Sequence, residues 1–226
     1  MTIVSIKIEA DGELRRVGLS DGSFFSFRIC YLPPSFDEES LYDPDRLAAT
    51  AEGLELSPEE EEGLRFASAC LEAETIALRL IARAEQTAFG LGRKLGKRGC
   101  GSDCANTVIS RLCDMGLLDD RRYACLWLES RLYRQGSSPL RLLAALRSKG
   151  IDRDDAESAL REVLDDDAEL RLLECFVRKK PLDVRGVDFQ GEDDSSARRS
   201  IRYRLKSEGF SSLAIERLFD NLGNVE

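Results

Sequence analysis

The stretch 116–151, GLLDDRRYACLWLESRLYRQGSSPLRLLAALRSKGI, decides how the rest of the chain is read. Asp119 and Asp120 stand where a helix N-terminus accepts carboxylates, one as cap and both as charges favoured by the helix dipole. Tyr123, Ala124, Trp127, Leu128 and Leu132 then recur at helical spacing. Gly136 ends that helix. Ser138 and Pro139 open the next, with Ser as cap and Pro in the first turn. Its apolar face is Leu142, Leu143 and Leu146, and it closes on Lys149 and Gly150, a cation and then a residue free to turn left-handed. A third helix over 153–164 completes the unit.

The unit recurs. With Gly99, Gly150 and Gly209 in register, the position four residues earlier is Leu95, Leu146 and Leu205, and eight earlier Leu91, Leu142 and Ile201. Six residues later stand Ala105, Ala156 and Ile215; nine later Val108, Ala159 and Leu218; ten later Ile109, Leu160 and Phe219; thirteen later Leu112, Val163 and Leu222. All are apolar, and these offsets fall on one face of each flanking helix. The glycines match the C′ position of a helix, where a Cβ is strained. The spacing between copies is uneven, so this is a short array and not a strict solenoid.

These residues resemble the RecX family, regulators of the RecA recombinase. The likeness rests on LLDDRRYA over Leu117–Ala124, then Arg131, Gly136, Leu146 and Lys149-Gly150-Ile151. Ala77-Leu78-Arg79 and Arg93-Lys94-Leu95 are similar to the family's first repeat, Lys179-Lys180 and Gly209-Phe210 to its third. The resemblance covers about 73–222 and is most specific in the middle unit, where Leu118, Asp119, Asp120, Tyr123, Ala124, Gly136 and Gly150 form the structural motif. It implies a mainly helical fold, three tandem three-helix repeats in an elongated curved array. It further implies a role in recombination, DNA repair and the SOS response. The implied partner is the RecA filament on single-stranded DNA, bound in its groove, with ATP hydrolysis, filament extension and strand exchange limited. A weak direct DNA contact is left open.

A chain of 226 residues can bury a real core in one or two domains. No run of eighteen apolar residues exists, and no basic-then-apolar leader opens the sequence, so a cytoplasmic protein is expected. The seven cysteines, an odd number, read as free thiols. The net charge of −9 is uneven: residues 1–72 carry 6 basic and 16 acidic groups, residues 73–164 carry 16 basic and 12 acidic. A basic middle inside an acidic protein is an argument about partners. A monomer is the expected state.

Five segments follow: a β-meander domain with a short helix over 1–56, a connecting helix over 57–84, and repeats over 73–117, 118–164 and 165–226. Val4, Ile6 and Ile8 alternate with polar residues. Asp11-Gly12 and Asp21-Gly22 are signals for two-residue type I′ hairpins, and Phe25, Phe27 and Ile29 alternate again. Three strands bury little alone, so helices near 43–51 and from Pro58 onward are expected to cover them. Ser57-Pro58-Glu59-Glu60 is a capping box. The helix expected from Thr87 carries Gly90, Gly92 and Gly96, each costing about 1 kcal/mol against Ala, so it should be weak or ordered only on binding. Asp165-Asp166-Asp167 reads as the cap of the third unit, and 181–196 as a mobile loop.

The chain has no histidine, which removes the commonest general base. Cys100, Cys104 and Cys113 lack zinc-site spacing and read as small buried hydrophobes, with Cys113 on an apolar helix face. No phosphate-cradling glycine motif appears. No enzyme, metal or cofactor is expected. Tyr123 and Trp127 read first as core and only secondarily as base-stacking groups. The candidate partner-binding residues are cationic: Arg121, Arg122, Arg131, Arg134, Arg141, Arg147 and Lys149 in the middle unit, with Arg93, Lys94, Lys97 and Arg98 in the first. Guanidinium forks suit phosphates and carboxylates. The ordinary alternative is a solvated helix face, or, for the 93–98 cluster, a cationic C-terminus stabilising its own helix. Arg131, one turn after Trp127, also reads as a structural arginine. A helix-turn-helix DNA reader is the competing class. Asp152, Asp154 and Asp155 at the start of the third helix oppose it, since they would face phosphates. A general protein–protein scaffold is the third.

Overall fold

The structure is a computed structural model and describes residues 2–9, 12–33, 54–179 and 196–223. The helix expected near 43–51 lies outside these residues, as does the loop expected at 181–196 except Ser196, which opens a helix. The chain is mainly helical with a small N-terminal antiparallel sheet and divides into two compact units, Met1–Leu118 and Asp119–Glu226.

In the first unit, β1 (Thr2–Ile8), β2 (Leu14–Leu19) and β3 (Phe24–Arg28) form the expected meander. A two-residue strand, β4 (Leu54–Glu55), adds to the free side of β1 and gives the order β3-β2-β1-β4. The second hairpin is not the two-residue type I′ form. Gly22 alone is left-handed, and the Gly22 and Leu19 amides donate to Leu19 O and Ser23 O across a three-residue loop. Asp21 accepts from both the amide and the hydroxyl of Ser23 and holds that loop.

The sheet's inner face (Ile3, Val17, Leu19, Phe27) is covered by α1 (Pro58–Ile81), which packs on β3. The capping box starts α1 as expected: Ser57 N–H donates to Glu60 Oε2 at 2.7 Å, and Glu60 N–H to Ser57 Oγ at 3.2 Å. Leu64, Ala67, Cys70, Ala73 and Ala77 then share one continuous core with the sheet, α2 (Ala88–Gly96) and α3 (Ser102–Asp114).

Helix α2 is formed in the free chain, against the expectation of a weak, binding-dependent helix. Thr87 caps it by accepting from Gly90 N–H at 2.9 Å, and Leu91 and Leu95 are fully buried. Two of the costly glycines have local reasons. A Cβ on Gly90 would stand 2.9 Å from the capping hydroxyl, and one on Gly92 would stand 3.3 Å from Ile109 Cδ1 on α3. Close helix approach and burial offset the propensity loss.

The second unit contains α4 (Asp120–Gln135), α5 (Pro139–Arg147), α6 (Arg153–Val163), α7 (Asp166–Lys179), α8 (Ser196–Ser207) and α9 (Ser212–Gly223). Its core is also single: Ala124, Leu128, Leu142 and Leu146 pack in one cluster with Leu172, Phe176, Ile201, Leu205, Ile215 and Phe219. Asp119, Asp152 and Asp165 each accept an amide from the first turn of α4, α6 and α7. No helix among the described residues is long and apolar enough to cross a membrane.

The three register glycines make one motif. Gly99, Gly150 and Gly209 have φ of 85°, 85° and 92°. The amide after each glycine donates back to the buried leucine four before it: Cys100 to Leu95 O, Ile151 to Leu146 O, Phe210 to Leu205 O, at 3.2–3.3 Å. The glycine amides themselves donate to Gly96 O, Arg147 O and Lys206 O. This is the Schellman pattern, with its apolar contact supplied by the residue after the glycine. The register positions are buried or half-buried in all three copies, except Leu222, which is exposed in the last turn of α9.

Ser138 stands at the N-cap of α5 but does not cap it with its side chain. Its buried hydroxyl donates instead to Glu208 Oε2 at 2.6 Å, and Leu140 N–H donates to Glu208 O at 3.3 Å. The end of α8 thus takes up what an isolated α5 would have kept for itself. Gly136, left-handed at φ 55°, lies so close to α7 that a Cβ would sit 2.8 Å from Cys175 O. A Cβ on Gly209 would sit 2.8 Å from Leu140 Cγ, whereas one on Gly99 would meet open space. Alanine at these positions should therefore rank by surroundings. Gly99→Ala should cost about 1 kcal/mol from backbone strain alone. Gly136→Ala should cost about 3 kcal/mol, because the clash is with backbone, and Gly209→Ala should fall between, because Leu140 can shift. Urea denaturation followed by circular dichroism checks the order; equal losses would remove the close-approach account.

Candidate functional site

Helix α4 turns Ala124, Leu128 and Leu132 into the core and leaves Tyr123 and Trp127 half-buried at its rim. Two of the candidate cations meet there. The Arg131 guanidinium carbon lies 5.1 Å from the Trp127 ring centroid and Lys149 Nζ 5.5 Å, with Lys149 also 6.0 Å from Tyr123. Both distances are within cation–π range. Lys149 reaches this cluster because the Schellman turn at Gly150 brings the end of α5 back beside α4. Arg131 is therefore not a buried structural arginine; it is exposed over the indole.

The other candidates separate. Arg121 bonds Glu162 Oε2 on α6 at 2.8 Å, which raises its already high pKa. Together with Arg122, Asp119, Cys125 and Leu126, this pair borders an open depression. Burial raises the Cys125 thiol. Arg141 lies 3.7 Å from Glu208, beside the Ser138 hydrogen bond, so it serves the α5–α8 junction. Arg147 is exposed. Of Arg134 only the helical backbone is described. In the first unit, Arg93 lies over Phe89 at 5.9 Å, Lys94 bonds Gln86 Oε1, and Arg98 donates to Lys94 O at 2.9 Å. Lys97 is exposed.

Charged residues that sequence reading did not single out are better organised. Glu74 on α1, 3 % exposed, accepts from Arg28 Nε at 2.7 Å and lies 3.7 Å from Arg111 Nε. Glu13 joins the same two arginines at 3.3 and 2.9 Å. This four-charge ring ties sheet, α1 and α3 together, and no spacing in the sequence signals it, because its members are far apart in the chain. In the second unit, Arg198 and Arg202 both lie over Phe219 and pair with Glu216, so these two arginines of α8 serve packing. Glu169 accepts both the amide and the hydroxyl of Ser211 at 2.7 Å and fixes the start of α9.

Cys104 is buried and Cys100 half-buried, in line with the apolar reading, but Cys113 is exposed: its position in α3 turns away from the core that Leu112 enters. Among the described residues no group of Cys, Asp and Glu is placed to hold a metal ion.

Comparison with known proteins locates this site in a family. Residues 119–160 match the model of the RecX second three-helix domain. The regulatory protein RecX of Treponema pallidum is 40 % identical over 118 residues, covering 50 % of this chain and 72 % of that protein. The chain belongs to the RecX family. The RecX of Mycolicibacterium smegmatis is 33 % identical over 154 residues, covering 68 % of this chain and 81 % of its own. A crystal structure of a regulatory protein RecX shares the fold at a TM-score of 0.59 and 19 % identity, covering 97 % of this chain and 98 % of that one. RecX from Lactobacillus salivarius matches at a TM-score of 0.50 and 21 % identity, over 69 % of this chain and 97 % of its own. Family membership supports a non-catalytic regulatory role and implies RecA as the protein regulated.

As the single tryptophan of this RecX protein, Trp127 reports on its own cations. Arg131→Ala and Lys149→Ala should each leave the helical circular dichroism intact and change the emission of Trp127. Each should lower stability by about 0.5–1 kcal/mol. Unchanged emission in the double variant would show that neither cation acts on the indole.

Proposed function

We propose that this RecX protein acts as a monomer, most directly as an inhibitor, by binding in the groove of the RecA filament on single-stranded DNA. The units over 73–117, 118–164 and 165–226 act as tandem repeats, and the middle one makes the main contact. Arg122, Arg131, Arg134 and Arg147 face the filament; Arg93, Lys94, Lys97 and Arg98 extend the contact from the first unit. Arg121, Arg141 and Lys149 act through the geometry they hold, on Glu162, Glu208 and Trp127. Filament subunits bridged by a rigid helical body cannot cycle ATP or extend.

The observation that carries this reading is the middle unit. It matches the second RecX domain, and it keeps exposed Arg131 and Arg147 on a body whose other charges are largely paired internally. Arginine forks on a fixed scaffold suit both carboxylates of a protein partner and phosphates of its DNA. The start of α6 weakens the DNA-reader alternative, since Asp152 and Asp154 are engaged in capping it and carry negative charge where a reading helix needs donors.

Filament ATPase measured with this protein well below one copy per RecA should fall. The variant Arg122→Glu/Arg131→Glu/Arg134→Glu should bind filaments at least tenfold more weakly while keeping its circular dichroism. Full ATPase in the presence of the wild-type chain, or unaltered affinity in the folded triple variant, would end the basic-surface mechanism.

A further inference from the structure

The first unit holds a thiol pair that the regulatory reading does not use. Cys70 sits in the middle of α1 with no exposure, and Cys104 lies in the first turn of α3 at 5 % exposure. The two helices pack directly, and both cysteines belong to one core. Their side chains are hydrogen-bonding neighbours, with the Cys70 S–H directed to the Cys104 sulfur. Buried cysteines ordinarily serve as small apolar groups. Here two of them, from helices distant in sequence, face each other across a helix–helix contact, and the segment between them carries the whole of α2.

We propose that Cys70 and Cys104 are a two-electron oxidation site, closing to a disulfide that staples α1 to α3 when the protein meets a peroxide. The chemistry runs in two balanced steps. The Cys104 sulfur attacks one peroxide oxygen; an S–O bond forms, the O–O bond breaks, and the departing hydroxide takes the thiol proton as water. The Cys70 sulfur then attacks the Cys104 sulfenic acid; the S–S bond forms, the S–O bond breaks, and a second water leaves. Two thiols are oxidised by two electrons and one peroxide is reduced to two waters.

Cys104 takes the first step for two reasons. It retains some exposure, and the Cys70 hydrogen bond opposes the rise that burial imposes on its thiol. Burial pushes the Cys70 thiol up most strongly, and the same hydrogen bond adds to the rise, so Cys70 suits the resolving role. Because the thiolate is the nucleophile, closure should speed up as pH rises. Closing the loop between them removes freedom from the unfolded chain, so the oxidised form should be the more stable.

The test uses the full reduced chain, treated with hydrogen peroxide at pH 7 and pH 9, quenched with catalase, alkylated after denaturation and digested without reductant. The expected product is a peptide pair joined between Cys70 and Cys104, formed faster at pH 9 and released by dithiothreitol. Fragment spectra distinguish Cys104 from its neighbour Cys100. The thermal midpoint of the oxidised chain should rise by on the order of 5 °C. Repeating the treatment in a Cys30→Ser/Cys113→Ser background, which removes the two exposed thiols, should leave the product unchanged. Recovery of Cys70 and Cys104 as alkylated thiols while other cysteines oxidise would overturn the proposal, as would a dominant link from either to Cys30 or Cys100.

Discussion

The constraint on which this molecule depends is the left-handed turn that closes the second helix of each three-helix group. At Gly99, Gly150 and Gly209 the chain leaves a helix whose last carbonyls would otherwise stay unpaired in a crowded interior. A single residue of positive φ lets the following amide turn back to the carbonyl of a fully buried leucine. Polar satisfaction and apolar contact are achieved by the same few residues. The direction in which the next helix departs follows from that turn, and so does the face it presents to the core.

These joints make local bundles, but the bundles do not keep separate cores. The first shares one with the sheet, through the long helix α1, and the second and third share another. Short three-helix groups bury too little surface to be firm alone, so pooling cores is the expected physical outcome. The polar links follow the same lines. Glu74 and Glu13 hold Arg28 and Arg111 within the first unit. Glu208 receives Ser138 and Leu140 within the second, where Gly136 lets α7 approach to backbone contact.

Pooling also decides which cations are available to a partner. Arg121, Arg141, Arg198 and Arg202 are close to carboxylates of neighbouring helices, where they serve assembly. Arg131 and Lys149 are held on Trp127. A cation resting on an aromatic ring keeps its charge and loses conformational freedom, so it is presented at a defined place. A basic middle segment in an acidic protein is therefore better described as a few placed charges than as a diffuse patch.

The sequence by itself determined the helical class, the three-residue register of Gly99, Gly150 and Gly209, the caps at Ser57, Asp119 and Asp165, and the strands flanking Gly12 and Gly22. Each is a local matter: periodicity, one left-handed residue, or one side-chain oxygen over the next turn. Only the tertiary structure decided the rest. Ser138 reads as a cap, yet its hydroxyl goes to Glu208, because a carboxylate brought in from α8 competes for it. Gly90 and Gly92 read as defects, yet they fit a capping hydroxyl and a neighbouring helix. Cys113 reads as core and is exposed, since helical spacing fixes a face but not what covers it. The pairing of Glu74 with Arg28 and Arg111, and of Cys70 with Cys104, joins residues far apart along the chain. Such contacts depend on how whole helices pack, and no pattern of near neighbours contains that information.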